Sequence, residues 1–147
     1  MLLVPAVAQA QSLPFVAAET DAASLGTAGA NLVQTGSVAN ASFSNAAAIP
    51  FSEQTMDVAA GYTMWQPVSS NILNAGAAFN LKKKFGVAVG FQYGMNPAYD
   101  VTNSSGAVTG QFSPSDMHVN VGLAWRFLPF LSLGANIGYA TSSLAEG

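Results

Sequence analysis

The chain has no cysteine and a single histidine, His118. These absences exclude disulfides, iron–sulfur clusters, thiolate-bound zinc and any multi-histidine metal site. Charge is scarce too. Asp, Glu, Lys and Arg make up 7% of 147 residues, against about 25% in an ordinary soluble domain. Four basic side chains and a net charge of −3 argue against nucleic acid as a partner. Beyond the first ten residues no run of about 18 apolar residues occurs, so a transmembrane helix is not expected. No G-x-S-x-G elbow or paired-carboxylate site appears. Gly26-Thr27-Ala28-Gly29 lacks the strand before and helix after that a dinucleotide fingerprint needs. An enzyme is not expected, and neither is a cofactor. Yet half of the residues are hydrophobic, and that apolar surface must be covered by something.

What is present is a period of two. In 85–96, FGVAVGFQYGMN, the residues Phe85, Val87, Val89, Phe91, Tyr93 and Met95 share one parity. Gly86, Ala88, Gly90, Gln92, Gly94 and Asn96 share the other. Such alternation predicts a strand with one bulky and one small face. The same design recurs over 54–66, 71–81, 116–128 and 130–142, which predicts five strands. Lys82-Lys83-Lys84 and Leu128-Pro129-Phe130 read as tight turns. Residues 96–115, with NSSG and SPSD, read as one long polar loop, and 66–70 as a shorter linker on the same side. Short turns at one end and longer loops at the other characterise a transmembrane β-meander.

A soluble sandwich also alternates, but its second face meets water and carries Lys, Glu and Thr. Here that face carries mainly Gly, Ala, Ser and Asn; Asp57, His118 and Arg126 are its ionisable members. Small and polar residues inward, bulk outward, is the pattern of a membrane barrel. The aromatics agree. With the N-terminus periplasmic, Tyr62, Tyr93 and Tyr139 fall at outer heights, and Phe79, Phe85, Trp125 and Phe127 near the inner turns. Both groups have lipid-facing parity, as interface girdles require. Asp57, Asn74, Asn80, Gln92, His118, Asn120, Arg126 and Asn136 then face the lumen.

The expected organisation has three parts. Residues 1–10 resemble the end of a signal peptide with a clipped basic region, closing on the cleavage pattern Ala8-Gln9-Ala10; an apolar N-terminal strand is the alternative. Residues 11–52, rich in Ala, Ser, Gly and Asn, read as an irregular plug or hatch with little helix. Residues 53–147 read as the first five strands of an antiparallel up-and-down barrel. Five strands are too few to close a bilayer-spanning barrel, since small natural ones have about eight. The chain is therefore expected to be an N-terminal fragment.

DAASLGTAGANL (21–32), SNAAAIPF (44–51) and the hairpin SPSDMHVNVGLAWRFLPFLSLGANIGYA (113–140) together resemble the outer-membrane family that joins FadL-type hydrophobic transporters to PorV/PorQ-type proteins of Bacteroidetes. Where that family often has Asn-Pro-Ala, this chain has Asn45-Ala46-Ala47. The resemblance implies a larger barrel with its N-terminal segment tucked into the lumen. It also implies passage of hydrophobic small molecules, or a shuttle role beside type IX secretion proteins. Outer-membrane lipid is the expected surrounding, with the N-terminus and short turns periplasmic and the long loop extracellular. A structural or adhesive barrel binding an external partner through 96–115 is the alternative, and a periplasmic ligand-binding barrel a weaker one.

For the charged residues two readings stand. Asp57 and Arg126 either hold the plug, with Glu19 or Asp21 pairing to Arg126, or are solvated at the periplasmic mouth. His118, beside the long loop, reads as a solvated residue rather than a ligand. The three lysines either meet anionic headgroups or simply stop a strand.

Overall fold

The computed structural model describes residues 15, 22–27, 37–65, 69–103 and 105–143. Seven strands form: β1 (Met56–Trp65), β2 (Ser70–Leu81), β3 (Phe85–Met95), β4 (Tyr99–Thr102), β5 (Val108–Phe112), β6 (Ser115–Leu128) and β7 (Leu131–Ser143). The long strands build one five-stranded sheet in the order β1-β2-β3-β6-β7, and β4-β5 form a separate ribbon. Every pairing is antiparallel. The fold is thus an all-β meander, and the five expected strands begin and end within one or two residues of the alternating segments. The helical elements among the described residues are short, α1 (Ala22–Gly26) and a 3-10 turn at Ala46–Phe51.

One expectation is corrected here. Residues 96–115 are not a plain loop, because β4 and β5 pair within them, with Tyr99 opposite Phe112. Asn103 closes the tip: its Oδ1 accepts from the backbone amides of Ser105 and Ala107, both at 3.0 Å. Such side-chain acceptors replace the ladder in a turn.

The lysine turn is tight and left-handed. Lys82 and Lys83 have φ of 55° and 53°, and the Lys84 amide donates to the Leu81 carbonyl at 3.1 Å. Leu81 pairs with Phe85 across these three residues, and two successive positive φ values are a backbone that Asn and Gly adopt most readily. Lysine carries a Cβ there, at a cost of about 1 kcal/mol per residue. At the β6–β7 turn the pairing slips between Arg126 and Leu128, next to Pro129.

Among the described residues the core lies on one face of the sheet. Val38, Ala41, Ala46, Ala48 and Ile49 cluster against Ala78, Ala88 and Ala124. The other face carries the bulk and is bare: Val58, Leu73, Phe91, Val121, Leu123 and Ile137 are all exposed, Ile137 by 77%.

Candidate functional site

The covered face is paved with small residues, and residues 37–52 lie on it. Two glycines show how close the approach is. A Cβ on Gly76 would stand 2.5 Å from the Ala39 carbonyl oxygen, and one on Gly134 would stand 2.4 Å from the Ala47 amide nitrogen. Backbone meets backbone at both places, so any side chain would push the segment away. Farther along β3, the Phe15 ring lies over Gly94 and the Phe43 ring over Gly90.

Polar groups fasten the segment along its length. Asp57 is the second residue of β1 and is half-buried. Its Oδ2 accepts from Ser37 Oγ at 2.9 Å, the Val38 amide at 2.7 Å and the Ala39 amide at 3.1 Å. A carboxylate taking several donors makes charge-assisted bonds of about twice the ordinary strength. Asn80 Nδ2 donates to the Ser52 carbonyl at 2.7 Å. Asn136 Nδ2 donates to the carbonyls of Ala41 and Ser44, at 3.2 and 3.1 Å. Ser132 Oγ donates to the Ala47 carbonyl. Within the segment, Asn45 Oδ1 caps the 3-10 turn by accepting from the Ala47 amide at 3.0 Å.

Arg126 closes the row at the end of β6. Its guanidinium sits 4.4 Å from the Phe51 ring centroid, and Nη1 donates to the Pro50 carbonyl at 3.4 Å. It also donates to the carbonyls of Leu128 and Pro129 in the adjacent turn. Glu19 and Asp21, named as its partners from the sequence, lie outside the described residues.

A polar row runs across three strands, with Asn74 opposite Gln92 and Gln92 opposite His118. All three are buried. His118 is therefore not solvated as its position near the loop implied; its ring meets Phe43 edge-on at 5.5 Å between centroids. The backbone places it two pairs below Asp116, inside the sheet rather than in the loop. Asn120 is buried in the next row, opposite Gly138. Asn136 is exposed on β7, although its amide reaches the segment.

Sequence reasoning missed a second fastening at the loop end. Ser70 Oγ donates to Asn96 Oδ1 at 2.8 Å, and Asn96 Nδ2 donates to Asp116 Oδ2 at 3.0 Å. Ser142 Oγ donates to the other Asp116 oxygen. This chain of bonds ties β2, the residue just after β3, β6 and β7 together. Asp116 shares parity with His118 and Asn120, and that parity was the signal available. Ser37 carried no signal, since its partner lies 20 residues away in the chain.

The aromatics sit on the bare face. Tyr62 and Tyr93 share one cross-strand row through Leu73, and Tyr139 lies in the neighbouring row with Phe91 and Val119. Phe85 and Trp125 are opposite each other and stacked, with 6.4 Å between centroids. Phe127 packs beside Trp125 at 5.9 Å, and Phe79 lies one row toward the sheet centre.

Among the described residues no group of three His, Asp or Glu is placed to hold a metal. No helix of the described residues is long and apolar enough to cross a membrane. The chain matches no family profile, no curated protein and no solved structure.

Proposed function

We propose that this chain is a section of an outer-membrane β-barrel whose N-terminal segment stops the lumen, and that the barrel moves hydrophobic molecules or serves protein secretion. The observation that carries the reading is the inversion of the sheet. Its small, polar face is buried on β2, β3 and β6, where 37–52 covers it, and its bulky face is largely exposed on all five long strands. An exposed apolar surface of that extent marks a membrane or partner contact. Aromatics near both ends of the same face suit the two interfaces. In hydrocarbon the free edges of β1 and β7 must be paired, so the reading requires further strands, from the same polypeptide or from copies. The FadL/PorV-type resemblance of 21–32, 44–51 and 113–140 supports it as well.

In this reading residues 37–52 are the gate. Asp57 and Arg126 hold its two ends, and passage requires their bonds to open or the segment to shift between them.

The test is reconstitution of the protein into phospholipid vesicles. The folded species is expected to need detergent or lipid and to migrate differently before and after boiling. Arg126→Ala is expected to raise leakage of a small solute several-fold. A protein that is folded and monodisperse in plain buffer would sink the membrane reading, and unchanged leakage would sink the role of the gate.

The β4–β5 ribbon favours a second reading, an adhesive barrel. It leaves Tyr99, Val101 and Val108 exposed beyond the sheet, as a contact for an external protein would require. Deleting 99–112 separates the two, since transport survives that deletion and partner adhesion does not.

A further inference from the structure

The bare face is not uniform. At the lysine-turn end it holds a groove of about 360 Å³, within the range of about 300–1,000 Å³ typical of ligand clefts. Its walls are Phe85 and Val87 from β3, Leu123 and Trp125 from β6, and Leu133 and Ala135 from β7. The register places Phe85, Trp125 and Leu133 in one row and Val87, Leu123 and Ala135 in the next. Ala135 is the small member between Leu133 and Ile137 on the same side of β7, and it opens the dip. The lining is almost wholly apolar, so an acyl chain fits it and a polar ligand does not.

Lys82, Lys83 and Lys84 stand immediately before Phe85, and they are three of the four basic residues in a chain of net charge −3. Lys84 is tied to the head of the groove, because its carbonyl accepts from the Arg126 amide at 2.8 Å, next to Trp125. Lys82 and Lys83 occupy left-handed positions that Asn and Gly fill with less strain. Turn formation therefore does not explain the lysines, whereas three exposed lysines in the turn that leads into an apolar groove complement a negative headgroup.

We infer that the Lys82–Lys84 turn and the groove of Phe85, Trp125 and Ala135 form a binding site for one anionic glycerophospholipid. The phosphate meets the lysines and one acyl chain lies between β3, β6 and β7. The inference rests on the membrane reading and deepens it, because it fixes a particular lipid at the periplasmic end of the wall.

The experiment uses the whole protein in vesicles of equal phosphatidylglycerol and phosphatidylcholine with identical acyl chains. Lipids that stay with the protein after mild detergent extraction are counted by native mass spectrometry. Phosphatidylglycerol is expected to be enriched about tenfold, given about fivefold per lysine near an anionic surface and partial screening. The triple variant Lys82→Asn, Lys83→Gly, Lys84→Gln keeps the turn and is expected to lose the enrichment. Ala135→Phe fills the groove and is expected to lower retention of both lipids with the lysines intact. Equal retention of the two lipids by the wild type overturns the inference, as does undiminished enrichment in the triple variant. Vesicle insertion without enrichment overturns the lipid site alone, whereas failure to insert overturns the membrane reading and the site with it.

Discussion

On β3, Gly86, Ala88, Gly90, Gln92 and Gly94 are buried, while Phe85, Val89, Phe91 and Met95 on the same strand are exposed. The two faces of one strand thus reverse the usual assignment, in which large apolar residues are the ones hidden. The difference teaches what each face meets. The small face admits a second layer of polypeptide at backbone distance, and its amides and carboxylates bond to that layer. Among the described residues no layer covers the bulky face, and its aromatics collect toward two ends.

The sharpest way to break the comparison is to put a charge in the middle of the bulky face. Val121 lies in the central row with Val89 and Ile137. In a bilayer, Val121→Lys is expected to cost about 2–4 kcal/mol. On a sheet that faces water the same change stays within about 0.5 kcal/mol. Val108 on β5 is also exposed, and Val108→Lys serves as the control, with an effect under about 0.5 kcal/mol in either case. Urea unfolding in vesicles measures both. Equal, small effects would mean that lipid does not touch the bulky face.

The small face is broken by adding bulk. Gly76→Val would normally favour a strand, since valine is a good strand residue. Here its Cβ would run into the Ala39 carbonyl, and overpacking of this kind costs about 1–3 kcal/mol. The expected signature is faster protease cleavage within 37–52 while the five-stranded sheet persists. Ala75→Val, one residue earlier and on the open side, is expected to leave cleavage unchanged.

Removing a charge on the small face is a milder perturbation. Asp57→Asn keeps the shape and one acceptor oxygen but loses the charge-assisted bonds to Ser37, Val38 and Ala39. A loss of about 1–2 kcal/mol follows, localised to the start of the segment. Hydrogen exchange at the Val38 and Ala39 amides reads it directly. Unaltered protection would mean that the carboxylate is a bystander.

The contrast between the faces also decides what was legible in the sequence. Alternation of bulk and glycine over ten or more residues marks both strand and face, and the lysine and proline turns mark the hairpins. The β4–β5 ribbon was hidden because Tyr99–Thr102 and Val108–Phe112 are too short to show a period amid polar neighbours. The 3-10 turn at Ala46–Phe51 was hidden by its composition, an alanine run followed by Pro50, which favours no single period. Asp57 and Arg126 stood out as charges in a neutral face, but their partners did not. Apart from the Ser37 hydroxyl and the Phe51 ring, those partners are backbone groups, and a backbone group carries no residue signature. Asp116 was passed over because it borders the loop, where a carboxylate ordinarily meets water.

The two turns at one end of the sheet offer the finest version of the comparison. One is Lys82-Lys83-Lys84, charged and left-handed; the other carries Pro129 and Phe130, with Phe130 78% exposed. If stability alone had shaped them, the first would hold Asn-Gly. Lys82→Asn with Lys83→Gly is therefore expected to stabilise the protein in neutral detergent by about 1 kcal/mol, through relief of two strained positions and despite the added freedom of glycine when unfolded. In vesicles rich in phosphatidylglycerol the gain is expected to shrink or reverse, because the wild type then draws on an attraction of about 1 kcal/mol for each lysine. Unfolding midpoints in the two media measure the difference. A gain of equal size in both would show that the lysines answer to nothing outside the turn, whereas a gain that disappears in the anionic bilayer shows what the strained backbone is for.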